Sequence, residues 1–240
     1  MDFVLLHGAF HGGWCWRYLR PLIEAAGHRV IAPTLTGLGE RAHLARPEVG
    51  LATHVEDILA LYRFEELDNT VMVAHSYGGL VAGCVANRIP ERIGTLIYLD
   101  AIVPQNGVSL ADLQDPTRLE AWRAAAEGFD GHLLPPPPVA FYGVTDAAQQ
   151  AWAERHVTPQ PWASVFDKAV ISSRAGEVAK TVYIACRHHP PELAYFDQFV
   201  DLARASPGWD LHELDSVHDC MVTDPDKLAA ILLPYAERAP

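Results

Sequence analysis

The 240-residue chain has few cysteines, little positive charge and no long apolar run. Its four cysteines, Cys15, Cys84, Cys186 and Cys220, are scattered, with no Cys-x-x-Cys pair. That usage excludes a disulfide framework and points to reduced thiols in a cytoplasmic protein. No apolar run approaches the ~18 residues that a membrane helix requires. The opening "MDFVLLHGAF" carries an acidic residue where a secretory signal carries basic ones, and its apolar run is too short, so it reads as a first strand. Lys and Arg total 18 against 30 for Asp and Glu, a formal charge of -12. Nucleic acid and anionic membrane surfaces reward basic patches, so both are excluded as expected partners. The same acidic excess also keeps a cytosolic protein in solution. There is no internal repeat, and the only biased segment is the run Pro135–Pro138.

What is present is alternation. "FVLLHG" (Phe3 to Gly8) is a short apolar run, and an amphipathic helical stretch from about Trp14 to Ala26 stops at Gly27. "HRVIAPT" reads as a second strand. "THVEDILALYRFEEL" reads as a helix opened by a capping box, Thr53 with Glu56 three residues on. "TVMVAHS" is a third strand, Gly78 to about Arg88 a helix, and "GTLIYLD" (Gly94 to Asp100) a fourth strand. After an aromatic-rich interruption the rhythm resumes with "KTVYIAC", a helix near Glu192 to Ala205, "WDLHEL", and a last helix with Pro225 at its first position. Apolar strands alternating with helices predict an α/β fold, a mostly parallel sheet covered on both faces. The expected organisation is a core of residues 1–104 and 174–240, with a small, mainly helical cap, residues 105–173, inserted after the strand that ends at Asp100.

Within "VMVAHSYGGLVAG" a buried strand breaks at a serine and resumes as a small-residue helix. Strand–small–x–Ser–x–Gly–helix is the pattern of a nucleophile elbow, whose strained turn demands small residues two positions to either side; here they are Ala74 and Gly78. A serine that only caps a helix would leave the same pentapeptide, but the strand before it and the helix after it supply the context that the motif requires. A serine hydroxyl needs a base, usually a histidine oriented by a carboxylate. Of the twelve histidines, His218 in "LDSVHDCMVTDP" follows the last strand, precedes the last helix, and completes the order Ser, acid, His. The oxyanion of an attacked ester needs N–H donors: Tyr77, directly after the serine, and Ala9 in "HGAFHGG", with Phe10 as the alternative.

"LLHGAFHGGWCW", "PTLTGLGER", "AHSYGG", "YLDAIVP" and "HDCMVTDP" together resemble an α/β-hydrolase of the branch that holds plant methylesterases, hydroxynitrile lyases and bacterial esterases. The resemblance spans nearly the whole chain and is loose only from about Asn106 to Ser173. It implies a cofactor-free serine hydrolase with a helical cap. Ser76 falls on the family nucleophile, His218 on its base, and Ala9 and Tyr77 on its oxyanion donors. The lyases of this branch use a threonine and a lysine where this chain has Gly8 and Asp219, and the missing cation favours ester hydrolysis. One departure is plain. The family acid follows the strand equivalent to "TVYIAC", but the loop here reads "RHHPPE", with His189 near the acid's position. Asp100, at the end of the strand after the nucleophile helix, is the natural substitute, and Glu192 is the reserve.

Many rings in the inserted segment suit an apolar pocket that shields the acyl-enzyme from water, although most of them would serve to pack the segment on the core. Phe10, Tyr77, Trp122 and Trp162 are the expected substrate contacts, and no Arg or Lys is obviously placed to clamp an anion. The expected partner is therefore an uncharged hydrophobic or aromatic ester, with no cofactor and no metal; a homodimer is left open. Two alternatives remain: a lyase or cyclase on the same scaffold, and a small-molecule receptor that has lost turnover.

Overall fold

The computed structural model describes residues 1–129, 131–172 and 178–237. Along the chain the elements are β1 (Asp2–Leu6), α1 (Arg20–Ala25), β2 (Arg29–Ile31), α2 (Leu51–Phe64), β3 (Thr70–His75), α3 (Gly78–Arg88) and β4 (Ile93–Leu99). Then come α4 (Pro116–Glu127), β5 (Leu133–Leu134), α5 (Ala147–Ala153), β6 (Gln160–Pro161) and α6 (Ala163–Phe166). The chain closes with β7 (Lys180–Cys186), α7 (Asp197–Ala205), β8 (Asp210–Leu214), α8 (Cys220–Thr223) and α9 (Pro225–Glu237).

Six strands form one sheet in the order β2-β1-β3-β4-β7-β8, and every neighbouring pair in it runs parallel. Side chains alternate across the strands, so one sequence feeds two cores. Val4, Leu6, Met72, Ala74, Leu96 and Tyr98 face one way, toward α2, α3 and α7. Phe3, Leu5, Val71, Val73, Ile97 and Leu99 face the other, toward α1 and α9. The chain leaves β1 toward β2 on one side and returns to β3 on the other. The crevice at such a reversal, beyond the carboxyl ends of the strands, is where open α/β sheets bind ligands. "HGAF" leaves β1 there and "SYGG" leaves β3.

The segment between β4 and β7 carries α4, α5, α6 and the two-stranded antiparallel β5–β6 pair. Its expected boundary at residues 173/174 lies outside the described residues.

Three local expectations differ from what forms. The stretch from Trp14 to Ala26 is a 3-10 turn, Gly13–Trp16, followed by α1. Pro21, which lacks an N–H, fits only the first turn of a helix, so the helix begins there. Likewise Pro190 and Pro191 give a 3-10 turn over Pro191–Phe196 before α7 begins. The capping box at Thr53 and Glu56 does not form: the N-cap of α2 is Gly50, three residues earlier. Its first N–H, Leu51, donates to Asp167 Oδ2 at 2.9 Å. A carboxylate 116 residues away thus replaces the local cap. Asp167→Ala should cost about 1 kcal/mol of stability, the usual worth of a cap, whereas Thr53→Ala should stay within about 0.5 kcal/mol of the parent; urea denaturation separates the two.

Candidate active site

Ser76 follows β3 directly and has φ +54°. Left-handed backbone at a non-glycine residue is strained and survives only when its surroundings hold it. Here its N–H donates to Leu99 O at 3.3 Å, and its carbonyl accepts from Gly79 and from Ile102, each at 3.1 Å. Gly78 is needed by close approach, because a Cβ there would lie 2.6 Å from the His7 carbonyl oxygen. Gly8 is equally confined: its Cβ would meet Ser76 Cβ and His75 Nδ1, both at 2.9 Å. The lyase threonine has no room at this position.

Asp100 sits one residue past β4, also left-handed at φ +42°. His218 lies in the loop between β8 and α8, and its Nδ1 donates to Asp100 Oδ2 at 2.6 Å, both side chains buried. The second carboxylate oxygen accepts the Cys186 N–H at 3.2 Å, and His189 Nδ1 lies 3.9 Å from it. Burial opposes the charge on Asp100, but the nearby imidazole of His189 and the hydrogen bond from His218 outweigh burial and hold its pKa at about 2. With Nδ1 committed to Asp100, His218 has Nε2 free for the cavity that it lines with Ser76. No hydrogen bond joins Ser76 Oγ to His218; contacts of this kind often tighten only around a seated substrate. The His218 ring is fixed by neighbours: Phe196 stacks on it at 5.3 Å, Tyr142 lies at 5.8 Å, and His75 Nε2 donates to its carbonyl at 3.1 Å.

The candidate oxyanion donors separate cleanly. The Phe10 N–H donates to Gln160 Oε1 at 3.0 Å and is therefore spent. Among the described residues, the N–H groups of Ala9 and Tyr77 have no protein acceptor, and both residues line the cavity. The Tyr77 hydroxyl points elsewhere, meeting His54 Nδ1 at 2.8 Å. His54 Nε2 donates to the Thr36 carbonyl at 2.9 Å, so Nδ1 accepts from the tyrosine.

The cavity, of about 570 Å³, is lined by Ser76, His218, Phe10, Leu110, Trp122 and Leu134 among others. Trp162 does not line it; that ring packs on Phe166, centroids 4.8 Å apart. Glu192 does line it, but among the described residues no hydrogen bond or ion pair joins it to His218. The cavity also holds a cation that the sequence reading overlooked. Arg118 on α4 lies over Trp122 at 5.0 Å and Phe141 at 5.6 Å, and donates to the Glu192 carbonyl. Its spacing from Trp122, four residues along one helix, was the available signal.

Asp219 does not face the cavity. It is buried and pairs with His11 Nε2 at 3.0 Å, while His11 Nδ1 meets the Ala9 carbonyl at 2.7 Å. Both of these partners are acceptors, so both ring nitrogens carry protons and His11 is an imidazolium. Burial works against that charge and the Asp219 carboxylate more than offsets it, raising the His11 pKa; the pairing lowers that of Asp219. A raised histidine pKa stabilises the fold below the unfolded value of about 6.5 and loses that contribution as pH rises through the folded value. A lowered aspartate pKa contributes above about 3.9 and loses it as pH falls through the folded value. His11→Asn, which leaves Asp219 buried and unpaired, should therefore cost about 3–5 kcal/mol. The deficit should be largest between pH ~4 and ~6.5 and shrink at higher pH, as chemical denaturation across pH would record.

Known proteins resemble this chain along nearly its whole length. The family model described as "Alpha/beta hydrolase family" matches residues 3–231. A carbendazim-hydrolysing esterase of Nocardioides sp. (strain SG-4G) is 39% identical over 95% of this chain and 96% of its own. Salicylic acid-binding protein 2 of Nicotiana tabacum is 29% identical over 98% and 97%. An extracellular α/β-hydrolase from a Paenibacillus species superposes with a TM-score of 0.83 at 20% identity, covering 98% of each chain.

Proposed function

The chain belongs to the alpha/beta hydrolase family and is a hydrolase of the carboxylesterase type, and we propose that it cleaves small, uncharged, hydrophobic or aromatic esters through an acyl-enzyme on Ser76. The observation that carries this reading is the 2.6 Å bond between His218 Nδ1 and Asp100, beside a strained serine on the same cavity wall.

Ser76 Oγ attacks the ester carbonyl as His218 Nε2 takes its proton. Asp100, ionised at any working pH, accepts the Nδ1–H and stabilises the imidazolium that forms. The N–H groups of Ala9 and Tyr77 receive the carbonyl oxygen as it becomes anionic. His218 then protonates the departing alkoxide. Water activated by the same imidazole hydrolyses the acyl-enzyme and frees Ser76. The segment between β4 and β7 serves as a cap, supplying Leu110, Trp122 and Leu134 as the apolar wall over the reacting bond.

Two observations weigh against the lyase alternative: Gly8 has no space for a side chain, and position 219 holds a buried carboxylate paired with His11, not a cation. Among the described residues no helix is long and apolar enough to cross a membrane.

A panel of esters with varied acyl and alcohol groups, with carbendazim included because a relative is named for it, tests the substrate class. Neutral aromatic and hydrophobic esters should be cleaved with kcat/KM at least about tenfold above their anionic counterparts. A preference for anionic esters would overturn the class and move Arg118 into the role of a clamp.

A further inference from the structure

We infer that Gln160, on the two-residue strand β6, is a positioning residue for the oxyanion site, fixing the Ala9–Phe10 peptide and with it the backbone torsion that joins this peptide to the neighbouring one, which carries the Ala9 N–H. This rests on the reading of Ala9 and Tyr77 as the oxyanion donors.

The Ala9–Phe10 peptide is gripped at both ends. Its carbonyl accepts from His11 Nδ1 at 2.7 Å, and its N–H donates to Gln160 Oε1 at 3.0 Å. Phe10 is left-handed, with φ +65°, a conformation that a bulky residue keeps only under restraint. A third bond restrains it from the same segment: the Thr158 N–H donates to the Phe10 carbonyl at 2.9 Å. The clamp therefore comes from residues about 150 positions further along the chain, in the segment between β4 and β7.

The orientation of the Gln160 amide is itself determined. Ser164 Oγ lies 2.6 Å from the Pro161 carbonyl, which can only accept, so the hydroxyl proton is committed there. The serine oxygen must then accept from the Gln160 atom that lies 2.6 Å away, which makes that atom the NH₂ and turns the amide oxygen toward Phe10. Gln160 and Ser164 are both fully buried, so water cannot replace either contact. Two consequences follow for the ester reaction. The Phe10 N–H is withheld from the oxyanion, leaving Ala9 as the donor on that side. The torsions on the carboxyl side of Ala9 are fixed before substrate arrives, so the donor needs no reorganisation when the charge develops.

The test compares parent, Gln160→Leu and Ser164→Ala for steady-state kinetics, thermal stability and affinity for two ligands of the same shape. One ligand is an aryl trifluoromethyl ketone, which forms a tetrahedral oxyanion on the serine; the other is the matching methyl ketone, a ground-state mimic. Removing a whole oxyanion donor costs about 10²–10³ in kcat, so misaiming one should lower kcat about 10–100-fold in Gln160→Leu and about threefold in Ser164→Ala. KM and methyl ketone affinity should stay within twofold, and trifluoromethyl ketone affinity should fall by the same factor as kcat. Unchanged kcat and trifluoromethyl ketone affinity would overturn the inference. A matched rise in KM and loss of methyl ketone affinity would also overturn it, making Gln160 a cavity-wall residue. If Gln160→Leu does not fold, Ser164→Ala decides on the same criteria. Failure of a fluorophosphonate to label Ser76 in the parent would show that the underlying reading, not the clamp alone, is wrong.

Discussion

Replacing Ser76 by alanine is expected to lower kcat for a neutral aryl ester by roughly 10⁵–10⁶-fold, the scale of removing a serine that acts as one unit with its base. The fold should tolerate the change. Ser76 Oγ makes no hydrogen bond among the described residues, and the left-handed turn is held by backbone contacts to Leu99, Gly79 and Ile102. An alanine side chain is no larger than the serine it replaces, so Ser76→Ala should unfold within about 0.5 kcal/mol of the parent. Ester and ketone binding should survive, because the apolar wall is untouched. Loss of turnover with binding and stability intact would assign the oxygen to the chemistry. Turnover at the parental rate would remove the nucleophile from residue 76.

Asp100→Asn should lower kcat about 10⁴-fold with little change in KM, through the tautomer of His218. The Cys186 N–H can only donate, so it will hold the amide oxygen of the new asparagine on its side. The amide NH₂ then faces His218 Nδ1, which must accept, and the ring proton moves to Nε2. A histidine protonated at Nε2 cannot take the proton of Ser76. Because the Asp100 pKa is held at about 2, the carboxylate stays ionised across any esterase assay. Its stabilising contribution is present above the unfolded value of about 3.9 and is lost only as pH falls through about 2. Glu192→Gln serves as the control and should leave kcat within twofold, since among the described residues no hydrogen bond or ion pair joins Glu192 to His218, whose Nδ1 is taken by Asp100. The reverse pattern, a large loss for Glu192→Gln and none for Asp100→Asn, would identify the other carboxylate as the acid.

The parallel sheet was legible because β3, β4 and β7 are continuous apolar runs bounded by turn residues, a pattern that survives without tertiary information. The elbow was legible for a related reason: strand, small residues and helix are all local. The loop "RHHPPE" is informative through what it lacks: with no carboxylate before Glu192, Asp100 is the nearest substitute, and its carboxylate lies against His218. The parts that were not legible depend on long-range partners. The cap of α2 comes from Asp167, and the restraint on Phe10 comes from Gln160. The His11–Asp219 pair joins residues 208 apart. No periodicity marks such pairings, because single polar residues in loops carry no repeat. Trp122 and Trp162 looked alike in the sequence. A helix turned the first toward the cavity, and contact with Phe166 took the second away.

The most direct measurement is rapid-quench mass spectrometry of the parent protein during turnover of a slowly deacylating aryl ester, with peptide mapping of any adduct. The expected result is one acyl group per chain, located on Ser76 and formed at least as fast as steady-state turnover. Sustained hydrolysis with no acyl group on Ser76, and no inhibition by a fluorophosphonate, would contradict it.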